Sequence, residues 1–426
     1  MSTAFGHLSK PQVWGLVLWS AGIALTGTAG IVQISALLAQ ILQQQEQSVF
    51  QRLREWYLDA SAKSGSKQGR KRRELEVTSC FGPLLRWIVR LWASEEKRLP
   101  LVIDATSLGN RWTILAVSVV LNGGAIPVAW KVLPAEQEGS WRPHWEQLFA
   151  HLEGCIPADW LVIVLADRGL YARWMWDAIV ARGWHPFLRI NLEVKASLAD
   201  ADEFDWLSRW VPAPGTHWAG TVDCFAGKKS RLRASLLLHW EPGYETAWAV
   251  VTDLCVEQAQ ISWYGLRTWI ECGFKDIKRG LWGWQHSKMT QASHVERLWL
   301  AMALAQVWCL SVGALVEHEQ RRSLLPLEQR LPETHVARRK RHAGQGTVPP
   351  RRLSCVVRGR LHLLALSWLA LPLTVGQLVA QAWPTSIDAP QKHLAPAFRH
   401  GTKTPREKER RRRQKQRAAQ RSKTLS

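Results

Sequence analysis

Acidic residues whose placement suits divalent-metal chemistry are the first feature of this chain. Asp104 ends the apolar stretch LVID within LVIDATSL (101–108), and Asp167 ends WLVIVLAD (160–167). Both runs read as strands that end in an acid, and in open α/β sheets functional groups gather at the carboxyl ends of strands. Carboxylates lifted from two neighbouring strand ends could share a hard cation such as Mg2+, which prefers oxygen ligands, keeps waters and bridges to phosphate. One such aspartate alone would more often cap the following loop. Two in a strongly basic chain shift the balance towards metal. Glu271 is the best third carboxylate, in a segment that also holds Tyr264, Arg267 and Lys278. The offsets of three, four and seven residues predict one broad face of a helix over 261–280, a metal-binding acid flanked by cations for phosphate. A salt-bridged amphipathic helix would give the same spacing.

The charge balance names the kind of partner. Lys and Arg number 56 against 35 Asp and Glu, a formal net charge of +21, so a polyanion is expected and nucleic acid is the default. The excess is concentrated. Residues 321–360 carry eleven Lys/Arg against two acids and residues 399–426 carry twelve against two, which leaves residues 1–320 nearly neutral. A run such as REKERRRRQKQR (406–417) reads as a disordered tail when free, but its affinity for phosphate persists because it comes from counterion release. The seven Cys form no CxxC pair, which excludes a zinc ribbon and fits a reducing compartment.

The elements that must position these groups follow from periodicity. Residues 1–99 read as a helical region with DNA binding expected, including 43–60 and 81–94, joined by the basic linker 61–74. From 100 the texture becomes strand-like: 101–108, then 112–121, an Asn-Gly turn at 122–124, and 125–133. A helix over 141–154, a strand over 160–167, a helix over 170–183 and a strand over 184–190 complete a β-β-β-α-β-α-β order, a mixed sheet with flanking helices. Short strands separated by PAPG, AGKK and EPGYE mark 193–256 as a β-rich insertion. Residues 257–320 resume with helices, and 321–426 form a basic C-terminal region.

Three stretches without charged side chains, 11–45, 298–316 and 363–387, are long enough to test as membrane spans. The first is broken by TGTAG and ends in Gln-rich sequence, the last is broken by Pro372, Gln377 and Gln381, and the middle one follows a charged helical segment. A soluble protein without a membrane partner or secretory signal is expected.

The spacing Tyr264-(2)-Arg267-(3)-Glu271-(6)-Lys278, with Asp104 in DATSLG and Asp167 in ADRGLY, resembles the DDE transposases of bacterial insertion sequences, in the branch defined by that Tyr-Arg-Glu-Lys signature. The resemblance covers about residues 100–320 and rests on three motifs in order. It implies a ribonuclease-H-like core interrupted by a β-rich insertion before the glutamate, and a cut-and-paste reaction on transposon ends and target DNA. It further implies a hairpin intermediate, a homodimer in a synaptic complex, and a bacterial, cytoplasmic, nucleoid-associated setting. On this reading Asp104, Asp167 and Glu271 hold two Mg2+ ions, with Mn2+ as a substitute. Asp104 would bridge both, water and then a DNA 3′-hydroxyl would attack, and no covalent protein nucleophile is needed. Arg267, Lys278 and Tyr264 would hold phosphates, with Arg189 at the end of the fifth strand as a further candidate.

Tryptophan occurs 26 times, so core or groove lining is the expectation for most of them. Trp248 lies where the resembling enzymes stack an aromatic on a flipped base, with Trp240 as the competing choice. Flipping costs a few kcal/mol and stacking offsets about 1–3. Another ribonuclease-H-like metal nuclease such as a resolvase, and a non-catalytic, domesticated DNA-binding relative, remain as alternatives.

Overall fold

The structure is a computed structural model that describes residues 4–63, 73–94, 96–199, 201, 203–227, 230–323 and 353–387. The basic run 399–426, most of 321–360 and most of the linker 61–74 lie outside the described residues.

One ten-stranded sheet organises the protein. Its first three strands, β1 (Arg98–Leu108), β2 (Trp112–Leu121) and β3 (Gly124–Pro134), form an antiparallel meander. The β2–β3 turn is the Asn-Gly pair read from sequence, with φ of 50° at Asn122 and 74° at Gly123, the left-handed region such a tight hairpin requires. Then come α5 (Arg142–Leu152, numbering helices from the N-terminus), β4 (Leu161–Ala166), α6 (Arg173–Val180) and β5 (His185–Arg189). The strands β4 and β5 run parallel to β1, so each needs a crossover, which α5 and α6 supply.

The β-rich stretch extends the same sheet. Its strands are β6 (Lys195–Leu198), β7 (Asp205–Trp206), β8 (His217–Cys224), β9 (Leu232–His239) and β10 (Trp248–Thr252), with the short helix α7 (Leu207–Trp210) among them. The spatial order is β3-β2-β1-β4-β5-β10-β9-β8-β6-β7, and β10 joins the two halves by pairing antiparallel with both β5 and β9.

Helices cover the sheet and build the N-terminal part: α1 (Lys10–Thr26), α2 (Ile31–Leu42), α3 (Glu46–Tyr57), α4 (Phe81–Leu91), α8 (Trp269–Lys275), α9 (Ala292–Ser323) and α10 (Cys355–Trp368). Pro83 falls in the first turn of α4, where a missing N–H costs nothing. The helices α4, α5, α8 and α9 all pack on β3, and one continuous core runs from them across the sheet to β8–β10. The charge-free run 11–45 is the α1–α2 pair, bent by 101° around Gly27 and its neighbours. Among the described residues, Ala292–Gln320 is the one single helix apolar and long enough to cross a membrane, and 83% of its most apolar window is buried within the protein. It crosses α10 so closely that a Cβ at Gly313 would overlap the Cys355 carbonyl, and one at Gly359 the Cys309 carbonyl.

The third charge-free run takes a different form. After α10, residues 369–387 carry no helix and run as an extended strap across the molecule. The Trp308 indole donates to Thr374 O (2.9 Å), and Leu378 pairs with the end of α4 through Leu378 N to Leu91 O (2.9 Å). The Asn122 side chain brackets the strap, donating to Val379 O (2.9 Å) and accepting from Gln381 N (2.8 Å).

Candidate active site

Asp104 is not at the end of its strand. It lies mid-β1, opposite Ala116 of β2. The expectation from sequence holds only for the other flank: the β1–β4 register ends at Val102↔Leu165, so beyond Val102 one edge of β1 is free. The shorter parallel neighbour thus makes a strand end for Asp104 without ending β1. Asp167 follows the last residue of β4 directly. The two aspartates are therefore offered at the same edge by adjacent parallel strands.

Both carboxylates are held in the same way. Asp104 Oδ1 accepts from the next backbone amide, Ala105 N (2.8 Å), and Asp167 Oδ1 accepts from Arg168 N (2.7 Å). Each leaves its Oδ2 directed at one guanidinium, with Arg267 Nη2 at 3.0 Å from Asp104 and 3.8 Å from Asp167. The loop cap and the convergent site, rivals at the level of sequence, are served by different oxygens of one carboxylate.

The segment expected to be a single long helix changes pitch twice. Ile261–Thr268 is a 3-10 helix, α8 is α-helical, and Asp276–Gly280 closes as a π turn. In a 3-10 turn side chains three residues apart eclipse, so Tyr264 and Arg267 point the same way. Arg267 then pairs with Glu271 one turn on, through Nη1. Gly273 seats α8 on the sheet, since a Cβ there would come within 2.6 Å of the Ala125 Cβ on β3. Lys278 is half-buried in the π turn. A single face of four residues is thereby replaced by a graded one: Tyr264 is buried, the Arg267 side chain is 13% exposed and the Glu271 side chain 61%.

Arg267 is the hub of this site. Its guanidinium touches acids from β1, from the β4 end and from α8, and Nε is buried without a partner. Burial pushes the Asp104 carboxyl above its ordinary range. Arg267 and the Ala105 amide oppose that shift, and the charges of Glu271 and Asp167 add to it. Burial also pulls Arg267 down, but the acids, led by Asp104, outweigh it and hold the guanidinium charged. Burial lowers Lys278, helped by Arg279, while the field of Asp104 opposes the shift. The site thus holds three carboxylates around one largely buried guanidinium. Among the described residues, no three His, Cys, Asp or Glu side chains close on one point as an ion's ligands; Arg267 stands between the acids.

A cavity of about 810 Å3 opens beside Asp167 and Arg267, lined also by Arg189, Trp248 and Tyr264 among others. Arg189 hydrogen-bonds Thr246 Oγ1 (3.2 Å) and Ala247 O (3.3 Å), and its guanidinium lies 6.0 Å from the Tyr264 ring centroid. Burial drives the Tyr264 hydroxyl far above its usual pKa, and Asp167 adds to this. Trp248, at the start of β10, meets the Tyr264 ring edge-on at 5.1 Å and lines the cavity. Trp240 is not among the lining residues, and its indole donates instead to Tyr244 O (3.0 Å).

Sequence reasoning missed two contributors. Residues 381–387 of the strap form a wall of the cavity, and Asn122, read only as a turn residue, anchors that wall. The signals present were the Gln and Pro interruptions of the charge-free run, which excluded a span without indicating a destination. No protein-family model matches this chain, and none of the curated proteins matches it.

Proposed function

We propose that the protein is a DDE-type DNA transposase, cleaving transposon ends and joining them to target DNA. The observation that carries this reading is the meeting of Asp104, Asp167 and Glu271, from three separate elements, around Arg267. The strand order β3-β2-β1-β4-β5, with β4 and β5 parallel to β1, supports a ribonuclease-H-like core, with β6–β10 as the insertion that precedes the glutamate.

The donor set fits hard divalent cations, Mg2+ or Mn2+. All three donors are carboxylates, and the upward shift of Asp104 is what a nearby cation would reverse. Asp104, Asp167 and Glu271 would hold them, and the metal when bound would supply activation of an attacking oxygen and stabilisation of a leaving 3′-oxygen. The protein's own groups do the rest. Arg267 keeps its charge in a half-dry site and can turn its fork from carboxylates to phosphate, a planar bidentate match. Lys278 supplies a second, point-like cation. Arg189 and Trp248 line the space beside the acids, where a phosphate and an unstacked base can be received. Double-stranded DNA is the partner, bound by a homodimer in the bacterial cytoplasm.

The test uses duplexes taken from the DNA on either side of the gene. With Mg2+, cleavage at an inverted-repeat boundary is expected, and Asp104→Asn, Asp167→Asn and Glu271→Gln should each abolish it while retaining binding. Cutting by any of the three variants at the parental rate would overturn the assignment.

A further inference from the structure

The strap joins a distant part of the chain to the candidate site. Residues Gln381, Thr385, Ser386 and Ile387 line the same cavity as Asp167 and Arg267. Contacts with neighbouring elements hold them in place. Ser262 Oγ donates to Pro384 O (2.6 Å), and the Trp383 ring meets Trp263 edge-on at 4.9 Å. The Arg98 guanidinium lies 5.7 Å from both of those indole centroids, while Asn122 brackets Val379 and Gln381 from the β2–β3 turn. The 3-10 helix, β1 and the β2–β3 turn thus fix an otherwise irregular segment whose described residues 369–387 bear no charge.

The two sides of the cavity differ in chemistry. The sheet side carries the charge: the guanidinium groups of Arg189 and Arg267 and the carboxylates of Asp167 and Glu245, with the rings of Trp248 and Tyr244. The strap side is uncharged and offers an amide, two hydroxyls, an aliphatic side chain and the Trp383 indole. Cations and aromatics facing neutral hydrogen-bonding groups suit a nucleotide whose phosphate and base are bound on different surfaces.

We propose that Gln381–Ile387 is a nucleic-acid-contacting wall of the catalytic cleft, holding the substrate strand against Arg189 and Trp248 beside the three acids. This rests on the transposase reading for the identity of the strand, and its test separates the two. The photocrosslinking residue p-benzoylphenylalanine is introduced at Ser386, and in a control protein at Trp368, which is 91% exposed at the end of α10. This reagent spares the exposed thiols of Cys255 and Cys272. Both proteins carry Asp104→Asn so that the gene-flanking duplex stays intact. The expected result is crosslinking from position 386 to nucleotides bordering the cut site, well above that from position 368. Equal or absent crosslinking at 386, in a protein whose Asp104 parent cuts the duplex, overturns the strap and leaves the transposase. Crosslinking at 386 when the parent cuts nothing upholds the strap contact and removes the transposase.

Two further arms sharpen the test. Excess mononucleotide should leave the crosslink unchanged, and abolition by mononucleotide would make the cavity a free-nucleotide site and overturn the proposal. The variant Asn122→Gly keeps the positive φ of the turn and removes the bracket. It should raise the KM for the duplex several-fold with kcat less affected, and an unchanged KM would count against the strap as a binding wall.

Discussion

Arg267 Nη2 lies 3.0 Å from Asp104 Oδ2, an ion pair between residues 163 positions apart that ties the helical run to the centre of β1. Because Arg267 opposes the upward shift of Asp104, its removal has two effects: phosphate loses its fork, and Asp104 holds its proton to higher pH. Arg267→Ala should lower cleavage strongly and move the acid limb of the pH–rate profile upward. Arg267→Lys should keep the limb near its place but recover only part of the rate, falling short by about 10–100-fold for want of a planar donor pair. A pH–rate series on both variants checks this.

Asp104→Asn should separate activity from stability. A carboxyl raised by burial favours folding while protonated, and that contribution is lost as pH rises through its folded value. The amide carries no such loss. The variant should therefore unfold in urea no earlier than the parent at neutral pH although it cuts no DNA. Marked destabilisation at neutral pH would mean that the charged pair with Arg267 holds the fold together.

Asp276, buried at the start of the π turn that carries Lys278, is pushed up to about 6 by burial, against the opposing charge of Lys275. Its folded value lies above the ordinary 3.8, so stability is lost as pH rises between about 4 and about 6, then stays level. Asp276→Asn should remove this slope and stabilise the protein above pH ~6 by at most ~3 kcal/mol, with no gain below pH ~4. Urea unfolding across that range measures it.

Removing residues 399–426 deletes twelve cations and two acids. If about a third of those cations meet phosphates at once, the slope of log affinity against log salt should flatten by ~3–4 on duplex DNA. Preference for specific ends should persist, since phosphate contacts position without specifying. Titrations at several salt concentrations decide it, and an unchanged slope would take the tail off the DNA.

Local pattern made much of the architecture legible. The five strands and two helices between 98 and 189 follow from apolar runs, an Asn-Gly turn and helical spacing, and Asp167 was readable because β4 stops just before it. Asp104 was harder, because the strand end that frees it belongs to β4, and a neighbour's length is not written in the residues around Asp104. The pitch changes around Glu271 were illegible for a similar reason. Spacing of three, four and seven fits an α-helix, while the 3-10 turn answers to packing against β1, β2, β4 and β9, which local spacing does not record. The strap had no periodicity to read, since its partners Asn122, Ser262 and Trp308 are distant and its bonds are largely to backbone carbonyls.

The strap also sets an order in time. Asp104, Asp167 and Glu271 have all been polymerised while more than a hundred residues that precede Ile387 have yet to be made. Through that interval the acids lack the wall opposite them, and Trp263 and Arg98 lack Trp383. A message broken or a polypeptide halted anywhere in that interval would leave a fragment with all three acids and an incomplete cleft. A complete cleft would then come only to molecules whose synthesis has passed the strap.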